Sequence, residues 1–210
     1  MINVIIADDH PIVRAGLKQI IMEDNGIMVT GEASNGGDLL EKIRRQDYDV
    51  ILLDLTMPGM DGLDVLKQLK IEKPNIPVII LTIHPESQYA LRILKAGASG
   101  YLTKESASEQ VIKAIRKVHR GGKFITSSLA EKIAFALDEE RGDLLHETLS
   151  DREYQVLCLI GSGKTVSQIA DALALSVKTV STYRSRILEK MQMKNNAELI
   201  HYAIQNGLVE

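Results

Sequence analysis

The sequence predicts an α/β domain, built on a five-stranded parallel sheet with doubly wound connections, followed by a smaller all-α domain of four helices. Short β-branched runs alternate with amphipathic stretches over the first 125 residues. Two of these runs, 50–53 and 78–81, are apolar at every position, which is typical of parallel strands covered by helices on both faces. Beyond residue 149 the periodicity is helical throughout.

The individual elements can be placed in chain order. Strands are predicted at 3–7, 28–33, 50–54, 78–82 and 100–102, and amphipathic helices at 11–24, 37–46, 62–72, 86–96 and 106–119. We assign these elements to a first domain of residues 1–122. The later helices are predicted at 150–161, 165–174, 177–190 and 196–206, within a second domain of residues 149–210. Ser150 and Glu153 form a capping-box pair that starts the first of them, and Gly207 stops the last.

The segment 123–148 is predicted to be a linker with one short helix. Residues 127–137 have a helical pattern, whereas 138–143 are polar and leave little to bury. The acidic excess of the chain lies here, because residues 126–148 hold two basic and six acidic residues. The net charge of −3 therefore argues only weakly against a nucleic-acid partner for the C-terminal domain.

The composition is that of an ordinary globular protein, with 45% hydrophobic and 25% charged residues in a chain of 210. A single cysteine, Cys158, excludes an internal disulfide and lies in an apolar run, which favours a buried, inert thiol. The N-terminus lacks a basic leader, and no apolar stretch reaches 18 residues. We therefore expect a cytoplasmic protein without a membrane partner.

Five polar residues follow or end the predicted strands. Asp8 and Asp9 follow the first strand, Asp54 ends the third, Thr82 ends the fourth and Lys104 follows the fifth. Because ligands of open parallel sheets bind outside the carboxyl ends of the strands, we expect these side chains to meet at one edge. Three carboxylates repel one another there, so a hard cation with oxygen ligands, Mg²⁺, is the predicted cofactor. Singly, each residue has a plainer interpretation, as a helix cap or a solvated charge.

With such a cation present, Asp54 could attack a phosphoryl donor and form an acyl phosphate. Lys104 would neutralise one phosphoryl oxygen, and Thr82 would donate a hydrogen bond to another. His10 beside the two aspartates suggests a further metal ligand. Mg²⁺ prefers oxygen, however, and His10-Pro11 more simply opens the first helix.

The ordered set of these residues resembles the receiver domain of bacterial two-component response regulators. The motifs that carry the resemblance are Asp8-Asp9, the run from Asp54 to Gly62, Thr82, and the run from Gly100 to Lys104. It implies a flavodoxin-like fold with Asp54 as phospho-acceptor, Thr82 and Lys104 as phosphoryl contacts, and a Mg²⁺ site made by Asp8, Asp9, Asp54 and the carbonyl of Thr56. Tyr101 occupies the position of the family's switch aromatic, although it could equally pack on the sheet edge. Glu105 replaces the proline that many receivers have after the lysine, which puts a cis peptide in doubt.

The C-terminal pattern predicts a helix-turn-helix. Helical residues up to Leu173 are followed by a tight turn and by Ser176 as the N-cap of the next helix. That helix carries four basic residues against one acidic residue over 176–190, a net charge of +3. Local positive charge suits phosphate contacts, although four basic residues could also be ordinary surface.

This region resembles the LuxR-type helix-turn-helix of the NarL/FixJ response-regulator class, in the motif Leu149 to Glu153 and in the residues from Ile169 to Ile187. The resemblance implies phosphate contacts by Lys178, Thr179, Arg184 and Arg186, and base contacts by Ser181, Thr182 and Ser185. It also implies a dimer contact by the last helix, whose apolar residues could equally be core of the domain. The P-loop-like run 161–165 lacks both the first glycine and a preceding strand, so nucleotide binding there is disfavoured.

The sequence thus predicts a transcription regulator in which phosphorylation of Asp54 controls dimerisation and sequence-specific DNA binding. The expected partners are a cognate sensor histidine kinase, double-stranded promoter DNA, a second copy of the chain and RNA polymerase. No enzymatic activity is expected beyond the chain's own phosphorylation and dephosphorylation. A phosphatase of the haloacid-dehalogenase kind would need a second aspartate at position 56, which is Thr56. A receiver without a DNA-binding role is disfavoured by the helix-turn-helix.

Overall fold

The computed structural model describes residues 1–60, 62–83, 86–126, 130 and 145–209. The chain divides into two compact units, Met1–Glu131 and Lys132–Glu210. The short helix predicted at 127–137 lies, apart from residue 130, outside the described residues. Within the described ranges, no helix combines the length and the apolar character that crossing a membrane would require.

The N-terminal unit is a five-stranded, all-parallel sheet in the order β2-β1-β3-β4-β5. Its elements are β1 (Ile2–Ala7), α1 (Pro11–Met22), β2 (Ile27–Ala33), α2 (Gly36–Arg45), β3 (Val50–Asp54), α3 (Gly62–Glu72), β4 (Val78–Thr82), α4 (Glu86–Lys95), β5 (Gly100–Thr103) and α5 (Lys104–His119). The predicted fold class is confirmed, because each predicted strand and helix of this unit is present within a few residues of its expected position.

The core of this unit lies on both faces of the central strands. Every residue of β3 and β4 is buried, as their unbroken apolar sequence predicts. One face of the sheet packs against α1 and α5, which contribute Leu17, Ile21, Val111 and Ile115 to the same cluster. The amphipathic helices therefore bury the apolar stripe that their sequence spacing indicates.

The sheet edge continues beyond β5. The backbone of Phe124 accepts a hydrogen bond from Tyr101 N and donates one to Ser99 O, at 3.1 and 2.9 Å. This pairing extends the N-terminal unit past residue 122, where the sequence places the end of the domain. The extension is a single bridge, so it has none of the length by which a strand is recognised in sequence.

The C-terminal unit contains a 3₁₀ turn (Leu145–Thr148) and α6 (Asp151–Gly161), α7 (Val166–Ala172), α8 (Val177–Lys190) and α9 (Asn196–Gln205). Side-chain caps start all four α-helices: Ser150 and Thr165 make full capping boxes, and Ser176 and Asn195 accept from the third residue of their helices. The turn between α7 and α8 includes Ala174 in a left-handed conformation, with φ of 52°. The predicted helix-turn-helix architecture is confirmed.

Gly62 stands where α3 begins, directly against the end of β3. A Cβ at this position would lie 2.5 Å from the Cα of Leu55 and 2.6 Å from the carbonyl oxygen of Asp54. Both are backbone atoms, one of the predicted phospho-acceptor and one of its neighbour, so moving them aside would cost considerable free energy. Gly16, on the exposed side of α1, would have nothing within 4 Å of a Cβ.

Alanine substitutions at these two glycines should therefore change the free energy of unfolding in opposite directions. We expect Gly62→Ala to lower the free energy of unfolding by about 2 kcal/mol or more, because the strand and helix must separate. Gly16→Ala should raise it by about 0.5–1 kcal/mol, because alanine loses less conformational entropy in a helix. Urea denaturation followed by circular dichroism measures both, and equal shifts for the two variants would contradict this interpretation.

Candidate functional site

The carboxyl edge of the sheet gathers the predicted acidic residues. Asp54 is the last residue of β3, and Asp8 follows β1, the neighbouring strand. Both side chains are buried, whereas Asp9 is 30% exposed. One ligand atom from each of Asp8, Asp9, His10 and Asp54 lies within 4.8 Å of the others. The parallel topology thus brings residues 46 positions apart into one cluster.

Lys104 connects the two buried carboxylates. Its Nζ lies 2.7 Å from Asp54 Oδ2 and 2.8 Å from Asp8 Oδ2. Thr103 fixes the start of α5 by accepting a hydrogen bond from Ser106 N at 3.2 Å, so Lys104 is the first helical residue. The peptide between Lys104 and Glu105 is trans, as no cis bond occurs in the described chain.

The pKa values at this edge reflect one cation shared by two acids. Burial raises the pKa of the Asp54 carboxyl, and hydrogen bonds from Lys104 and from the Thr56 backbone offset part of that rise. Burial also lowers the pKa of Lys104, but its bonds to Asp54 and Asp8 outweigh burial, and the pKa is raised overall. The ammonium is therefore held charged, while the carboxylates are incompletely compensated.

The donor set fits a divalent cation. Three carboxylates converge with one ammonium, which leaves a formal excess of two negative charges. Carboxylate oxygens are the ligands that Mg²⁺ and Ca²⁺ prefer, and repulsion among them falls when a cation binds. His10 would add a nitrogen ligand, but it is 61% exposed and its Nδ1 lies 2.7 Å from Asp9 Oδ1. His10 is also the N-cap of α1, with Pro11 as the first helical residue, as the sequence indicates.

Thr56 and Thr82 lie at the same edge, and Tyr101 lies on β5, two residues before the end of that strand. The backbone nitrogen of Thr56 donates to Asp54 Oδ1 at 3.1 Å, which fixes one carboxylate oxygen. Asp54 is paired in register with Leu81, so the buried Thr82 follows on the adjacent strand. Tyr101 is only 2% exposed and therefore packs inward in this structure.

Arg14 is a part of the edge that the sequence analysis missed. Its Nη1 donates to the carbonyl oxygen of Asp8 at 2.7 Å, and its Nε lies 3.4 Å from Glu32 Oε2 on β2. Lys18 also contacts Glu32, at 2.8 Å, and these hydrogen bonds lower the pKa of that carboxyl. Arg14 thereby anchors the loop that carries the aspartates. No sequence signal marks it, because the contact joins a helix residue to a distant strand.

The second candidate site is the exposed face of α8. Five of the predicted DNA-contacting residues of α8 are exposed: Lys178, Ser181, Thr182, Ser185 and Arg186. The first four of them recur at intervals of three and four residues, which places them on one face of the helix. Thr182 and Ser185 donate their hydroxyls to the carbonyls of Lys178 and Ser181, at 3.0 and 3.1 Å. Thr179 is half-buried, and its hydroxyl lies 2.7 Å from that of Ser176. The face is polar, narrow and positively charged.

Arg184 has an internal partner as well. Its Nε donates to Asn196 Oδ1 on α9 at 2.5 Å, which holds the guanidinium against the neighbouring helix. The remaining nitrogens of the fork are free to take up a phosphate from this fixed position. Most of the predicted DNA-contacting residues therefore share one exposed surface, while Thr179 and Arg184 lie at its margin.

Comparison with known proteins assigns both parts of the chain to families. Residues 4–116 match the family model of the response regulator receiver domain, and residues 147–203 match that of the luxR family of bacterial regulatory proteins. The response regulator UvrY of Escherichia coli K12 is 39% identical over 99% of this chain and 96% of its own length. This chain belongs to the two-component response regulators. The response regulator GacA of Pseudomonas aeruginosa is 36% identical over 100% of this chain and 99% of its own.

Solved response regulators have the same two-domain order. The structure of RcsB from Salmonella enterica serovar Typhimurium bound to promoter rprA, in the presence of the phosphomimetic BeF3⁻, covers 96% of this chain with 97% of its own. It is 29% identical, with a TM-score of 0.64. A structure of the RcsB–DNA complex aligns over 97% of this chain and 98% of its own, with 29% identity and a TM-score of 0.60.

The structure bears on two features of the C-terminal unit that the sequence analysis raised, the last helix and the P-loop-like run. Leu199 and Ala203 of α9 are buried in the domain, whereas Ile204 is 57% exposed, so the apolar residues of this helix divide between core and surface. The P-loop-like run at 161–165 follows a helix, and Gly161 packs against Ala203 and Val209. Packing, rather than phosphate binding, accounts for that glycine.

Lys190 forms an ion pair with a buried carboxylate. Its Nζ lies 2.6 Å from Glu153 Oε2, and the same carboxylate oxygen accepts from Ser150 N at 2.8 Å. Glu153 is nearly fully buried. Burial would raise the pKa of Glu153, but hydrogen bonds from Lys190 and Ser150 outweigh it, so the pKa lies below its usual 4.5. Lys190 therefore joins α8 to the start of α6 instead of adding to the charged face.

This ion pair predicts a pH-dependent stability. A lowered carboxyl pKa contributes stability above pH 4.5 and loses it as pH falls through the folded-state value. At pH 7, Glu153→Gln should lower the unfolding free energy of the C-terminal unit by about 1 kcal/mol, since glutamine keeps the cap but not the charge. The difference should shrink below pH 4.5. Amide exchange of α6 measures it, with the exposed Glu189→Gln as control, and a pH-independent difference would refute the assignment.

Proposed function

We propose that a sensor histidine kinase phosphorylates Asp54, and that this modification controls dimerisation and sequence-specific binding of the chain to promoter DNA. The observation that carries the proposal is the buried edge at which Lys104 contacts both Asp54 and Asp8. A lysine at the first position of a helix opposes the helix dipole. We therefore interpret this placement as a response to negative charge. The two carboxylates supply that charge in this structure, and a phosphoryl group would supply it after phosphorylation.

The chemistry proceeds by nucleophilic attack of an Asp54 carboxylate oxygen on phosphorus. With a phosphohistidine donor, an O–P bond forms, the N–P bond breaks, and the imidazole nitrogen retains the electron pair. Thr56 N holds Oδ1, which fixes the carboxylate while the phosphoryl group is transferred. Lys104 would then neutralise a phosphoryl oxygen and Thr82 would donate a hydrogen bond to another.

Mg²⁺ is the proposed cofactor at this edge. Asp8, Asp9, Asp54 and the carbonyl of Thr56 would hold it, and the excess negative charge of the cluster supports this choice. When bound, it would neutralise the negative charge that accumulates on the phosphoryl oxygens. The chain would catalyse only its own phosphorylation and dephosphorylation, and would have no other enzymatic activity.

The DNA partner is proposed to bind the exposed face of α8. Lys178, Arg184 and Arg186 would contact phosphates together with Thr179, while Ser181, Thr182 and Ser185 would face the bases. The exposed part of α9 around Ile204 is the proposed contact of the DNA-bound dimer. Action in the cytoplasm, where bacterial promoters lie, and a contact with RNA polymerase complete the proposal.

Asp54→Asn is the direct test of the phospho-acceptor. Acetyl phosphate with Mg²⁺ should label the wild-type chain and shift it towards a dimer in sedimentation, whereas Asp54→Asn should show only background label and stay monomeric. Asp64→Asn, an exposed carboxylate on α3, should behave as wild type. Wild-type labelling of the Asp54 variant would exclude this residue as acceptor. Full labelling without dimerisation would exclude the proposed coupling.

Lys178→Ala tests the phosphate contact on α8. Removing one phosphate contact should weaken binding to all duplexes and reduce the slope of log K against log salt by about one. Lys113→Ala removes the same charge from an exposed position on α5, and should leave the slope unchanged. If both lysine variants alter the slope equally, the effect is one of overall charge and α8 has no special role.

A further inference from the structure

Asp8 lies at the point where the ladder between β1 and β2 ends. The last paired residues of the two strands are Ala7 and Ala33, and Asp8 N donates to the carbonyl of Ala33 at 3.1 Å. The carbonyl of Asp8 lies one step further along the chain, beyond the last pair of the ladder. Arg14 supplies a donor for that carbonyl from α1, with its Nη1 at 2.7 Å. A side chain thus continues the hydrogen bonding where the backbone ladder stops.

The bond from Arg14 fixes the peptide that joins the two acids of the site. A peptide unit is planar, so the direction of the Asp8 carbonyl also sets where the nitrogen and the Cα of Asp9 lie. The position of the Asp9 side chain follows from that backbone, and one of its oxygens belongs to the cluster with Asp54. A rotation of this peptide would therefore move the Asp9 carboxylate relative to the other two.

Arg14 is itself held by the end of β2. Its side chain is only 17% exposed, and its Nε lies 3.4 Å from Glu32 Oε2. Lys18, one turn further along α1, lies 2.8 Å from the other oxygen of Glu32. Glu32 directly precedes Ala33, so the nitrogen and the carbonyl of Asp8 are both tied to the same end of β2.

Charge alone would give Arg14 the opposite effect on a bound cation. A guanidinium near three carboxylates offsets part of their negative charge and competes with a divalent cation, so its removal should strengthen Mg²⁺ binding. Geometry predicts the other sign, because ligands that lose their support must be reoriented before they bind. Side chains that hold metal ligands in place typically contribute about 10–100-fold to affinity. The sign of the effect therefore separates the two explanations.

We propose that Arg14 is a positioning residue of the Mg²⁺ site, which holds the peptide between Asp8 and Asp9 so that the Asp9 carboxylate faces Asp54. Arg14 donates to a backbone oxygen and not to a ligand carboxylate, so it acts through the loop and leaves the ligand set unchanged. The inference rests on the proposed Mg²⁺ cofactor and adds a residue on which the affinity of that site depends.

The test is a Mg²⁺ titration of the isotope-labelled full chain, followed by the amide shifts of Asp9 and Asp54 without a phosphoryl donor. Arg14→Met keeps the apolar stem but removes the donors and the charge, and its affinity for Mg²⁺ should fall about tenfold. Arg14→Lys, which keeps the charge and N–H donors, should lose less. In the metal-free chain, the amide of His10 donates to Asp8 Oδ1 at 2.8 Å, and its exchange should accelerate in Arg14→Met.

Lys18→Gln is the matched control, because it removes a cation from the same helix and from the same partner, Glu32. The bond from Arg14 to the Asp8 carbonyl remains in this variant, so its affinity for Mg²⁺ should equal that of wild type. The positioning role is overturned if Arg14→Met binds Mg²⁺ as tightly as wild type or more tightly, or if Lys18→Gln weakens binding equally. A wild-type chain without saturable Mg²⁺ shifts would instead refute the proposed metal site, and this inference with it.

Discussion

One ammonium group between two buried carboxylates is the interaction on which the rest of the N-terminal domain depends. Lys104 begins α5, where the positive end of the helix dipole disfavours a cation. Burial lowers the pKa of Lys104, but its hydrogen bonds to Asp54 and Asp8, each within 2.8 Å, outweigh burial and raise the pKa. Among the described residues, neither carboxylate has a second lysine or arginine partner, so the three groups form a unit that responds as a whole. A change in charge at Asp54 must therefore alter the electrostatic interaction with Lys104, and through Lys104 it must affect the start of α5.

The strand order of the sheet brings these charged groups together. β1 and β3 are neighbours although α1, β2 and α2 separate them in sequence, so their carboxyl ends deliver Asp8 and Asp54 to one place. The apolar strands below remove water, which raises the pKa of Asp54 and strengthens every electrostatic contact. Helices on both faces make that burial possible. The same framework that provides stability thus sets the electrostatic environment of Asp54.

The fold and the acidic edge could be predicted from the sequence because they depend on local patterns. The apolar runs of β3 and β4, the caps at Ser150 and Ser176, and acids placed at strand ends all give a signal within a few residues. Arg14 with Asp8, Lys190 with Glu153 and Arg184 with Asn196 give none, since each contact joins separate elements. Lys190 shows the consequence. Its charge counts toward the basic helix α8 in the sequence, but its partner Glu153 lies on α6.

The hydroxyls of α8 constrain how this family member could read a base. Thr182 and Ser185 donate their protons to carbonyls four residues earlier, so the lone pairs of their oxygens point outward. In that state both side chains accept hydrogen bonds, which suits the amino groups of cytosine and adenine in the major groove. Reading guanine would require the hydroxyls to abandon their helix bonds. We therefore expect few base contacts from this face. The shape of the DNA, which sets the positions of the phosphates around Lys178 and Arg186, should then contribute more to the choice of binding site.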